Sequence, residues 1–71
     1  MLQKEVFEHF KQLFPKYAED TEKWFPNGNG SIRLRLKTGD DLIFTCHTIS
    51  GNLEWSLETL NLFIKRLKGE L

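Results

Sequence analysis

Apolar residues recur at helical spacing at the start of the chain. At 100° per residue, Leu2, Val6, Phe7, Phe10, Leu13 and Phe14 fall on one arc. Lys4, Glu5, Glu8, Lys11 and Gln12 fall on the other, which predicts an amphipathic helix. Pro15 cannot continue that helix without losing a backbone bond, so it predicts the first residue of a second, short helix. Tyr17, Thr21 and Trp24 share a face at helical spacing, with Ala18 and Phe25 beside them. Glu19 and Asp20 are placed near the positive N-terminal end of this helix. The run Pro26-Asn27-Gly28-Asn29-Gly30 ends it and turns the chain.

The period then changes to two. Ile32, Leu34 and Leu36 alternate with Arg33, Arg35 and Lys37, and Leu42, Phe44 and Cys46 alternate with Ile43, Thr45 and His47. Two hairpin registers are open. A two-residue loop at Gly39-Asp40 pairs Leu36 with Ile43 and sets the basic residues on the face of Leu42 and Phe44. A type I turn over Lys37-Thr38, with Gly39 left-handed in a bulge, pairs Leu36 with Asp40, Leu34 with Leu42 and Ile32 with Phe44. Only the second keeps one face apolar, and it sets Arg35 opposite Asp41. Ser50-Gly51-Asn52 is a further turn, and Leu53 and Trp55 around Glu54 suggest a short third strand. A last helix is expected from Ser56, with Leu57, Leu60, Phe63, Ile64 and Leu67 as its buried stripe and Gly69 as its stop. The expected architecture is one α+β domain over residues 1–71. It has the order helix, short helix, hairpin, third strand, helix, and a two- to three-stranded antiparallel sheet with the helices on one face.

Composition narrows the function classes. The chain has 71 residues, with six Phe, two Trp and one Tyr, which is enough apolar surface for a core. Ten basic and ten acidic residues cancel, which argues against a strong non-specific nucleic-acid or membrane binder and weakens colloidal repulsion. One cysteine allows no internal disulfide, and the N-terminus lacks the apolar run of a signal peptide. The cytoplasm is the expected compartment.

Candidate chemistry is sparse. His9, one turn from Glu5, borders the apolar arc with no nucleophile to serve. Cys46 and His47 are neighbours on a strand, so they point to opposite faces and cannot share one metal ion. Gly28-Asn29-Gly30 precedes a strand rather than a helix and lacks the dipole of a phosphate loop. No catalytic residues, metal or cofactor are assigned, and no enzyme is expected.

Two surfaces remain. Leu62 falls off the expected stripe near Arg66, and with Trp55 it makes a candidate protein-contact surface of Trp55, Leu62 and Arg66, open to a protein partner or a second copy. The alternative is a nucleic-acid surface of Arg33, Arg35 and Lys37, helped by Lys65 and Lys68, although the wet strand face is expected to lack the aromatics that hold single strands. The element order is similar to that of double-stranded-RNA-binding domains. That family's basic cluster opens its last helix, whereas here Ser56-Leu57-Glu58 stands at that place.

The string from Trp24 through Pro26, Ser31-Ile32, Leu36, Gly39 and Ile43-Phe44-Thr45 to Trp55-Ser56-Leu57-Glu58-Thr59 resembles small uncharacterised proteins encoded by bacteriophages and prophages. The resemblance implies a short cytoplasmic accessory protein of a mobile element that works through binding. It assigns no functional residue.

Overall fold

The computed structural model describes residues 2–69, apart from the side chains of Phe63 and Arg66. These residues form an α+β domain. Helices α1 (Gln3–Leu13) and α2 (Pro15–Glu19) precede strands β1 (Thr21–Pro26), β2 (Ser31–Leu36), β3 (Asp41–Ile49) and β4 (Asn52–Thr59), and helix α3 (Leu60–Leu67) follows. The strands make one antiparallel sheet in the order β1-β2-β3-β4.

Helix α1 forms where the apolar arc predicts it. Its Val6 and Phe10 are fully buried against Ile32, Leu34, Phe44 and Cys46. Rings extend the contact, Phe10 on Phe44 at 5.4 Å and Phe7 on Trp24 at 5.2 Å between centroids. Leu2 and Leu13, at the ends of the arc, are exposed. The helix stops at Phe14, and Pro15 opens α2 as its first residue.

The short helix ends sooner than helical spacing suggests. Residues 21–26 are a strand, because Thr21 Oγ1 donates to the Tyr17 carbonyl at 2.8 Å and the backbone then pairs with β2. Glu19 and Asp20 therefore stand at the C-terminal end of α2, not at its positive end. The ladder slips between Thr21 and Lys23, so Thr21 pairs with Leu36 and Trp24 with Leu34. That bulge spaces two residues of one face three apart, the spacing of a helix. Helix and bulged strand are therefore indistinguishable by period at this point.

The central hairpin has the bulged register. Gly39 has φ 96°, its N–H bonds the Leu36 carbonyl at 2.9 Å, and the Leu36 N–H bonds the Asp40 carbonyl at 2.8 Å. Leu34 pairs with Leu42, Ile32 with Phe44 and Arg35 with Asp41. One face stays apolar as a result.

The third strand is longer than expected and is joined by a fourth at the other edge. Ser56 does not cap a helix; it lies in β4 opposite Thr45. Strand β4 pairs with β3 without a break from Asn52 to Thr59, and the Ser50-Gly51 loop has positive φ at both residues, as a type I′ turn requires. The cap of α3 is Thr59, whose Oγ1 accepts the Leu62 N–H at 3.2 Å. The stripe expected for α3 is only partly what the described residues show: Leu57 belongs to β4, Leu60 is half-buried, Ile64 and Leu67 are exposed, and the side chain of Phe63 lies outside the described residues. The core face is covered by α1 and α2, while α3 meets strands β3 and β4. Among the described residues, no helix is long and apolar enough to cross a membrane.

Candidate protein-contact surface

Strand β4 is an edge strand, and its sequence alternates across its full length. Leu53, Trp55 and Leu57 share the side of the sheet that carries Phe44 and Cys46, while Glu54, Ser56 and Glu58 share the other. Trp55 sits against Phe14 edge-on at 5.2 Å and against Phe44 at 6.2 Å, yet 46% of it stays exposed. Leu53 is 41% exposed beside it along the strand. Beyond residue 45 the ladder to β2 has ended, so the far end of the β3–β4 hairpin has only its own two strands.

Helix α3 has exposed apolar residues of its own. Leu62, Ile64 and Leu67 are all exposed. Of the residues proposed from sequence, Trp55 and Leu62 are thus accessible, and the side chain of Arg66 lies outside the described residues. The sequence reading did not expect the exposure of Leu53, and it placed Ile64 and Leu67 in a buried stripe. The alternation that begins at Leu53 continues to Thr59, which is the signal for a strand extending past Ser56.

The basic face is built differently from its expectation. Arg33 and Arg35 both meet Asp41. Arg35 Nε donates to Asp41 Oδ1 at 3.1 Å and Arg35 Nη2 reaches Oδ2 at 3.4 Å. Arg33 Nε lies 3.3 Å from Asp41 Oδ2, close enough for charge attraction but not aligned for a hydrogen bond. The Arg35 hydrogen bond foremost, then the charges of both arginines, holds the Asp41 carboxyl below the usual carboxylate range, against an opposing effect of burial. The guanidinium of Arg35 is raised by the same bond.

An aromatic ring does stand on this face. Because residues 21–26 are a strand, Phe25 lies with Arg33 at 5.2 Å and Arg35 at 5.8 Å from its ring centroid. Ile43, expected on the wet face, is on that side but only 1% exposed. Its cross-strand neighbours are Arg33 and Glu58, whose long stems can lie over it. Lys37 leaves the row of arginines. It belongs to the turn, and its N–H bonds the Asp20 carbonyl at 2.8 Å. Lys65 in α3 and Lys68 just after it are exposed away from the sheet.

Cys46 and His47 do face opposite sides, Cys46 fully buried and His47 exposed. Burial pushes the Cys46 thiol up. An open depression between Tyr17, Leu36, Leu42, Thr59 and Leu60 lies near the β2–β3 turn, where Asp40 accepts from the Thr38 hydroxyl at 3.0 Å.

Comparison of the chain with protein-family models, with curated proteins and with solved structures finds no match.

Proposed function

We propose that this chain is a small accessory protein that works by protein contact and not by catalysis. The observation that supports the reading is the set of exposed large apolar side chains on β4 and α3, namely Leu53, Trp55, Leu62, Ile64 and Leu67. Half-exposed tryptophan beside aliphatic side chains is the composition of an interface centre. A cytoplasmic location and an origin in a mobile element belong to the same proposal and follow from the sequence resemblance.

The rival surface of Arg33 and Arg35 is less suited to a polyanion. Both guanidiniums already share Asp41, and Glu54 and Glu58 occupy the same side of the sheet. Binding through phosphates would show as log affinity falling with log salt, by about 0.7–0.9 per phosphate neutralised. Such a slope for a short oligonucleotide, lost on Arg35→Ala, would replace the contact reading. The direct test is affinity capture with the tagged chain and with Leu62→Asp. Partners held by the wild type are expected to be lost from the variant, and a variant that keeps every partner sinks the assignment.

A further inference from the structure

The backbone phase of β4 follows from bonds two strands away. The Cys46 N–H bonds the Gly30 carbonyl at 2.8 Å, so the even-numbered residues of β3 turn their backbone toward β2. In an antiparallel ladder the direction alternates, so Ile43, Thr45 and His47 turn theirs toward β4. Their partners are Glu58, Ser56 and Glu54. The backbone N–H and C=O groups of Leu53, Trp55, Leu57 and Thr59 therefore point outward, along a sheet edge that pairs with no other described strand.

The two edges of the sheet differ in protection. Strand β1 carries a bulge, Lys23 and Pro26, three devices that discourage pairing at an edge. Strand β4 has an unbroken ladder and contains no proline, lysine or arginine. Its outward groups are a template for one more antiparallel strand.

We propose that the strand paired there is β4 of a second copy, in a two-fold dimer centred on Trp55. This rests on the protein-contact reading and names its partner. A two-fold axis normal to the sheet sets one residue opposite its own copy. Centred on Trp55, it places Leu53 opposite Leu57, Glu54 opposite Ser56 and Asn52 opposite Glu58, with no like charges facing. Centred on Ser56 it would set Glu54 against Glu58 on both sides of the axis, and centred on Glu54 it would set that carboxylate against itself, both destabilising. Centred on Leu57 it would pair Leu53 with Asn61, which is already in α3, and so shorten the overlap. A stable interface buries about 1,200–2,000 Å² in total. Backbone pairing alone supplies too little, and the paired Trp55 rings with their Leu53–Leu57 flanks provide the apolar remainder. The zero net charge offers no overall repulsion to a second copy.

The test uses four forms of the whole chain. Wild type should sediment as a dimer at tens of micromolar. Leu53→Pro removes an outward N–H and costs no bond to β3, so it should keep the far-ultraviolet dichroism while weakening the dimer at least tenfold. Glu54→Cys and Ser56→Cys keep Trp55 and put the new thiol on the face opposite Cys46. In the Trp55-centred pair, residue 54 of one copy stands directly opposite residue 56 of the other, as a non-bonded pair with Cα atoms about 4.5 Å apart, within the span of about 4.4–6.8 Å that a disulfide bridges. Mild oxidation should therefore cross-link an equimolar mixture of the two variants at least tenfold faster than either variant alone, while wild type, whose Cys46 is buried, should not cross-link. A monomeric wild type, an equally dimeric Leu53→Pro, or a mixture that links no faster than its components overturns the proposal. Should Leu53→Pro fail to fold, the cross-linking ratio decides alone. A monomer that still captures another protein through Leu62 overturns self-pairing and leaves the contact reading standing; a monomer that captures nothing ends both.

Discussion

Gly30 and Cys46 approach each other through their backbones. The Gly30 carbonyl accepts the Cys46 N–H, and a Cβ on Gly30 would lie 2.9 Å from the Cys46 carbonyl oxygen. Gly30 also has φ 70°, a conformation that side chains resist. Gly39 has φ 96° but open space around it. Gly39→Ala should thus cost about 1–2 kcal/mol through backbone strain alone. Gly30→Ala should cost more, since the neighbouring atom is backbone and cannot swing aside. Denaturant midpoints of the two variants give the order directly, and equal midpoints would contradict the close approach.

The Cys46 thiol is raised by burial, so its neutral form is the one the fold favours. Stability from this group is present below the unfolded thiol value, about 8.5, and declines as pH rises through the higher folded value. In native protein at pH 8, a thiol reagent should react with Cys46 only as fast as the chain opens. Adding denaturant should release the full reaction, and rapid labelling of the native state would count against burial.

Asp41 gives the opposite sign. Its folded value is lowered, chiefly by the Arg35 hydrogen bond, so its contribution is present above the unfolded value of about 3.9 and is lost as pH falls through the folded one. Acid unfolding should accordingly be shallower in Asp41→Asn than in wild type below about pH 4. A titration of the Asp41 carboxyl by NMR should find its midpoint below that of a free aspartate.

Thr59 caps α3 through the Leu62 N–H. Thr59→Ala should cost about 1 kcal/mol and reduce helical dichroism, while Thr59→Ser, which keeps the hydroxyl, should restore most of it. Because Leu62, Ile64 and Leu67 of α3 are exposed, its fraying should be seen by hydrogen exchange before the sheet opens.

How far the fold was readable depends on whether period and phase agree at each element. Helix α1 and the β2–β3 hairpin show clean periods, and the demand for one apolar face was enough to choose the Gly39 bulge over a tighter loop. Strand β1 was hidden because its bulge sets Thr21 and Trp24 on one face at a spacing of three, and Tyr17 lay one turn earlier. In β4 the serine at position 56 has the chemistry of a helix cap, which drew the boundary three residues too early. The arginine face was legible in β2 alone, but Phe25 beside it was not, since it depends on β1 being a strand. The outward phase of β4 is a property of the whole ladder and cannot be read from β4 by itself.

The unequal edges bear on what the protein can become when crowded. A polymer of sheets needs two adhesive sides on every subunit, one to receive and one to offer. Here the bulge, Lys23 and Pro26 spoil the β1 side, so each subunit has one side to offer. Joining two copies through β4 consumes both offers and leaves only spoiled sides at the ends. Growth therefore halts at the pair, and concentration alone should not carry this chain toward filaments. A change that straightened β1, such as replacing Pro26 and removing the extra residue of the bulge, would restore the missing side and open the way to fibres.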